Sequence, residues 1–198
     1  MAWTAPRTWA VGEVVTAALM NTHVRDNLLY LKSALDTIAA GDYPETLSNQ
    51  IPATPPSNSG TAETTLFSYT LPADTLDVNG RKVRVMVSGT TSADSDNKVF
   101  RLYLGGTGGT KLWDSGNTTI NNEWWTLEAE INRDGVGSQY STVTALWARG
   151  GPGADLQALE RTASSEDETG ALDIVVTGQS SVGSDRIYGY QMLVERAA

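Results

Sequence analysis

The chain is 198 residues long and carries 23 acidic against 14 basic side chains, for a formal net charge of -9, with one histidine and no cysteine. That length holds one ordinary domain and an appendage, and 40% hydrophobic with 19% charged residues suits a packed protein rather than a disordered one. Without cysteine, disulfide frameworks, thiolate zinc sites and thiol nucleophiles are excluded. The acidic balance opposes binding to nucleic acid or anionic lipid, since both need clustered Lys and Arg.

The stretch from Met1 to Thr16 includes Trp3, Pro6, Arg7, Trp9 and Glu13, too polar a mixture for a secretory core. Nothing later approaches the ~20 apolar residues of a membrane-spanning helix, so a soluble product without membrane insertion is expected. Thr16 is a helix N-cap and Gly41, followed by Asp42, Tyr43 and Pro44, is a stop; the predicted helix runs through Ala40. Within it Asn21, Val24, Leu28, Leu31, Leu35 and Ile38 recur at alternating steps of three and four, the a/d pattern of a coiled coil. Asn21, Leu28 and Leu35 take a, and Val24, Leu31 and Ile38 take d. Leu at a with Ile at d leans toward three or four strands, and Asn at a sets register. The stripe spans only about three heptads, and its alternative use is as the buried face of an amphipathic helix packed on its own domain.

From Gly41 to Thr64 the composition turns to Pro, Ser, Thr, Asn and Gly, with Pro52 and the pair Pro55-Pro56, and predicts an extended linker. A helix held off by such a spacer must bury its leucines against other copies or another protein. From Thr65 onward the period changes to two. Phe67, Tyr69 and Leu71 share a face, as do Val83, Val85 and Val87, then Phe100, Leu102 and Leu104. Trp125, Leu127, Ala129 and Ile131 follow, then Val143, Ala145 and Trp147, then Leu172, Ile174 and Val176. Tyr188, Tyr190, Met192 and Val194 form the last run, and Lys111 to Trp113 a short extra strand. These runs, about eight strands with one wet face each, predict a mainly β chain folded as an antiparallel β-sandwich, jelly-roll-like. No helix alternates with them, which excludes a parallel βαβ sheet.

The expected division is therefore an attachment segment and trimerisation helix at 1–40, a linker at 41–64 and a sandwich head domain at 65–198. Residues 1–40 hold Arg7, Arg25 and Lys32 against Glu13, Asp26 and Asp36, so the whole negative charge falls on the remainder. A neutral end suits burial against protein and an acidic end suits solvent.

Catalytic constellations are weak. His23 stands alone on the helix, far from any nucleophile elbow. Glu128 and Glu130 share a strand face in the manner of a glycosidase pair, but two such carboxylates are common on a solvated face. Asp94, Asp96 and Asn97 resemble the start of a calcium loop and Glu166, Asp167 and Glu168 form a second acidic loop; a hydrated turn is the default for both. Gly105 to Lys111 has the glycines of a phosphate loop but lies between strands, with no helix N-terminus to hold a phosphate, and reads as a hairpin. No metal, cofactor or enzymatic activity is expected. Among the tryptophans, alternation sets Trp124 opposite Trp125, so one of the two faces outward, at a subunit boundary or as a stacking platform for a sugar. Trp124 and Trp113 are the candidate ligand-facing residues.

Trp9, then Gly12-Glu13-Val14-Val15-Thr16-Ala17-Ala18-Leu19-Met20-Asn21-Thr22-His23-Val24-Arg25-Asp26-Asn27-Leu28 and Leu31-Lys32, resembles the opening segment of virion structural proteins of tailed bacteriophages, such as tail fibres, minor tail proteins and head fibres. There the segment precedes unrelated C-terminal domains. Tyr69 to Leu76, Asn79-Gly80, a Val-rich strand ending at Gly89 and Trp124-Trp125 have a looser likeness to β-sandwich domains of phage fibres. The resemblance implies a homotrimer in the virion, held by other virion proteins at the N-terminal end through residues such as Trp3, Trp9 and Val15. It implies a sandwich presented outward, toward a host-surface glycan or protein. A capsid decoration or head-fibre protein, and a glycan-degrading enzyme, are the alternatives.

Overall fold

The computed structural model describes residues 8, 10–39, 45–148, 154–184 and 186–197. The chain divides into two compact units, Met1–Tyr43 and Pro44–Ala198. The first contains α1 (Ala17–Met20), a π-helical turn (Asn21–Arg25) and α2 (Asp26–Ala39). Thr16 caps α1 as its sequence position predicts, its hydroxyl accepting from the Leu19 N–H at 3.3 Å. The predicted stop at Gly41 to Pro44 lies outside the described residues, as do Trp3, Trp9 and the side chain of Ile38.

The uninterrupted heptad needs correction. The Asp26 N–H bonds the Asn21 carbonyl five residues back, which makes one turn wider than an α-turn and inserts an extra residue. Asn21 is therefore rotated about 100° from the phase that α-geometry would give it relative to Leu28. The wide turn is supported by the Asn27 side chain, which donates to the His23 carbonyl at 3.3 Å. Leu28, Leu31 and Leu35, all within α2, keep their common face.

The second unit is an antiparallel β-sandwich. Among the described residues its ten strands are β1 (Glu45–Gln50), β2 (Thr64–Leu71), β3 (Lys82–Thr91), β4 (Lys98–Leu104), β5 (Thr110–Asp114), β6 (Trp124–Gly135), β7 (Ser138–Ala148), β8 (Ala154–Ser164), β9 (Leu172–Ser180) and β10 (Ile187–Ala197). One sheet has the order β1-β10-β3-β6-β7-β8 and the other β2-β9-β4-β5. Every pairing between these strands is antiparallel. All the predicted strands exist, and two were not foreseen. β1 arises inside the proposed linker: a run with Leu47 as its one sizeable apolar residue becomes an edge strand because β10 supplies its backbone partners. The Pro-rich stretch after it is also tied in, since the Gly189 N–H bonds the Pro56 carbonyl at 2.9 Å. Residues 45–64 thus belong to the sandwich and are not a spacer. β8, rich in Ala, Leu, Gln, Glu and Arg, has a helix-forming composition that ladder pairing with β7 overrides.

The core lies between the sheets and follows the period of two. Val83, Val85, Phe100, Leu102, Leu104, Ala129, Ile131, Ile174 and Val176 are all fully buried. Two glycines make room for close packing, one within the larger sheet and one between the sheets. Gly89 on β3 and Gly189 on β10 are register partners. A Cβ on Gly89 would stand 1.9 Å from the Tyr188 carbonyl oxygen and 2.7 Å from the Trp125 ring; one on Gly189 would stand 2.4 Å from the Phe67 ring. The paired glycines leave a gap that two aromatic rings fill, and Trp125 continues the packing onto Phe100, ring centroids 4.9 Å apart.

Candidate functional site

Three places collect the side chains with chemical potential: the ridge of α2, the two loop ends of the sandwich, and the outer face of the six-stranded sheet.

On α2, Leu28, Leu31 and Leu35 are 60, 45 and 63% exposed, and Val24 in the π turn is 40% exposed. Asn21 and Val15 are exposed too. Three leucines on one helical face in water are an uncompensated apolar surface.

Both acidic loops contain a buried carboxylate knot, while Asp167 stays exposed. At one end Lys98, fully buried, donates to Asp94 Oδ1 at 2.6 Å and to the Asp96 carbonyl at 3.2 Å. Ser92 donates to the same carboxylate and Arg186 Nη1 reaches Asp94 Oδ2 at 3.3 Å. Burial by itself raises the Asp94 carboxyl, but the hydrogen bonds from Lys98, Ser92 and the Asp96 N–H outweigh it and hold its pKa at about 2 instead of 3.8. Beside this knot the buried Asn58 accepts from the Arg186 and Ile187 N–H groups at 2.8 and 2.9 Å and donates to the Gly60 and Gly183 carbonyls at 3.0 Å each. At the other end Glu168, 4% exposed, accepts from Arg133 Nε at 2.8 Å, the Gly137 N–H at 2.9 Å and Gln139 Nε2 at 2.9 Å. The Gly137 N–H does most to hold its carboxyl below the usual range, against burial, and Arg133 adds to it. Glu166 accepts from the Thr110 N–H and hydroxyl, both at 2.7 Å. These carboxylates, which the sequence offered to calcium, are engaged by internal donors. Gly105 to Gly109 is the predicted hairpin loop, between β4 and β5.

The outer face of the larger sheet carries Trp124. Alternation is obeyed on β6: Trp125 is 1% exposed and Trp124 is 59% exposed. The second tryptophan named for ligand contact, Trp113, is corrected by its burial at 2% among the core residues, because β5 turns it toward the opposite sheet. Tyr190 also differs from its predicted inward position. The register of β10 against β3 slips between Gly189 and Gln191, a bulge that exchanges the two faces of the strand. Ile187 and Gly189 face the core before it, Met192 and Val194 after it, and Tyr190 emerges on the outer side. Its ring meets Trp124 with centroids 5.6 Å apart at 49°, and its phenol oxygen accepts from the Thr90 hydroxyl at 3.0 Å.

One step along the same strands is a hollow of about 300 Å³ whose apolar floor includes Met86, Leu146 and Leu193 and whose walls include Ser88, Thr126 and Thr144. Met86 and Leu193 each sit between two buried positions of their strands and Leu146 follows the buried Ala145, so their side chains are out of phase with the core. Three such departures on β3, β7 and β10 were readable in the sequence, but only the pairing of Met86 with Leu193 and of Ser88 with Thr126 shows that they converge. Glu128 also lines the hollow and accepts from Arg84 Nε at 2.7 Å, and farther along the face Lys82 lies 3.7 Å from Glu130. The two carboxylates are thus each paired across the strand with a cation.

No family description and no curated protein matches this sequence. Solved structures similar to it include infectious bursal disease virus, Gt strain, at 14% identity and a TM-score of 0.36, over 79% of this chain and 34% of that one. T=1 particles derived from the same virus are similar at 14% identity and a TM-score of 0.37, over 79% and 32%. The chain spans about a third of the length of these structures.

Proposed function

We propose that this chain is a virion structural protein, a homotrimer joined through α2, held to other virion proteins by its N-terminal segment and presenting the sandwich for recognition of a host surface. The observation that carries the reading is the leucine ridge of α2, with Leu28 and Leu35 more than half exposed. A helix of this length is marginal in water by itself and gains its stability by burying such a stripe. The electrical neutrality of residues 1–40 favours that burial. The likeness of Gly12 to Leu28 to the leader of tailed-phage virion proteins supplies the setting. The role is one of assembly and binding without catalysis; Glu128 and Glu130, each paired with a cation, serve the outer face of β6 as cross-strand partners.

Sedimentation of the full chain tests the association. The wild type is expected at the mass of a trimer, and Leu31→Asp at that of a monomer, because three carboxylates would converge in one desolvated layer. A monomeric wild type, or an unchanged mass in the variant, would remove the seam. Imaging of antibody-labelled particles separates the placements: label at the tail supports a fibre, and label over the head a capsid decoration.

A further inference from the structure

We propose that the outer face of the six-stranded sheet binds a neutral oligosaccharide, one sugar ring resting on Trp124 and Tyr190 and the chain continuing into the hollow floored by Met86, Leu146 and Leu193. The inference deepens the recognition role proposed above and names its ligand class.

Trp124 is the largest side chain left exposed on the sandwich among the described residues, at 59%. It is not loose: the Tyr190 ring lies against it, and the Thr90 hydroxyl holds the Tyr190 phenol. Thr90 and Trp124 are register partners on adjacent strands. The pair is therefore a preorganised aromatic surface, which lowers the ordering entropy lost on binding. A planar ring covers the C–H face of a pyranose while leaving the sugar hydroxyls at its edge free to bond. Groups to receive those hydroxyls stand next along the strands: Ser88 and Thr126, themselves register partners, and Thr144 and Gln191 at the walls of the hollow. Two residues along a strand is roughly 6.6 Å, so the platform and the hollow lie within the reach of one short saccharide.

The composition of the face argues against other ligands. Its cations Arg84 and Lys82 are engaged by Glu128 and Glu130, on a chain of net charge -9, so an anionic ligand meets repulsion. The hollow, about 300 Å³, is at the lower end of small-ligand sites. Its apolar floor of three side chains falls well short of the ~800 Å² per partner that a stable protein interface buries. An amphipathic ring, apolar on its faces and hydroxylated at its rim, matches both the floor and the walls.

The full-length protein, probed on an immobilised array of neutral hexose and N-acetylhexosamine oligosaccharides, is expected to retain at least one of them, and that oligosaccharide in solution to change tryptophan fluorescence saturably. Trp124→Ala should weaken binding about tenfold with an unchanged Tm, since the ring is exposed. Trp124→Phe should recover most of the loss, and Leu146→Glu, which fills the hollow with a charge, should abolish binding. Three results would overturn the proposal: no oligosaccharide bound; binding that survives both Trp124→Ala and Leu146→Glu, which puts the ligand on another face; or a changed sedimentation mass in Trp124→Ala, which makes the face a contact between copies. The first two leave the mass expected for Leu31→Asp unaltered, so failure of the glycan site and failure of the helix seam are read separately.

Discussion

Gly89 shows how much of this fold rests on a single missing methyl group. It sits mid-strand, where glycine is ordinarily unfavourable, yet a Cβ there would press into the Tyr188 carbonyl oxygen at 1.9 Å. Backbone cannot swing aside as the tip of a long side chain can, so β3 and β10 would have to part. Gly89→Ala is expected to destabilise the sandwich by about 3 kcal/mol, or roughly 10 °C in Tm. Calorimetry on the variant checks this, and an unchanged Tm would mean that the two strands are not held at the spacing described. Trp124 shows the converse at the same scale: its exposure means that its ring contributes little to folding and is available for contact.

At the scale of elements, two one-residue irregularities decide which side chains meet. The bulge in β10 inserts one residue and moves Tyr190 from the core side to Trp124. The π turn before α2 inserts one residue and takes Asn21 out of the phase of Leu28. The second has a measurable consequence. An Asn at a true a position of a trimer lowers stability to fix register, and replacing it with Leu raises stability strongly. With Asn21 rotated away, Asn21→Leu is expected to leave the dissociation temperature of the proposed trimer nearly unchanged. A rise of many degrees would put Asn21 in the seam and restore a continuous heptad through the wide turn. β1 makes a related point about composition: Glu45–Gln50 is a strand because β10 offers a ladder, not because its residues prefer one.

For the whole molecule, the two polar knots clamp opposite loop ends of the sandwich, and their charges set its pH range. Asp94, held at about 2, and Glu168, held below the ordinary carboxylate range, both have folded-state pKa values under their unfolded ones. Such groups contribute stability that is complete above the unfolded pKa and is lost as pH falls through the folded one, for Asp94 between about pH 4 and 2. At the alkaline side burial, with the hydrogen bond to Glu63, pushes the Tyr103 phenol from 10.0 to about 12. Its contribution is intact below about pH 10 and fades toward 12. Urea midpoints measured against pH should form a plateau that falls away at both ends. The acid limb should be shallower in Glu168→Gln, and an acid limb identical to the wild type would detach Glu168 from acid unfolding.

The sequence alone determined the class of fold and most of its parts. Strict alternation in Val83 to Val87 and Trp125 to Ile131 dictates a sheet with one buried face, because successive side chains of a strand point to opposite sides whatever they pair with. Thr16 as a cap and the leucine ridge of α2 are equally local, fixed by spacing within one turn or two. What only the tertiary structure decided is everything that depends on pairing between distant segments. It made a strand of Glu45–Gln50, turned Trp113 inward and Tyr190 outward, and closed Lys98 on Asp94 and Arg133 on Glu168. It also gathered Met86, Leu146 and Leu193 from three strands into one hollow. Register is the physical reason: a shift of a single residue exchanges the two faces of a strand, and the partner strand that sets the shift lies far away in sequence.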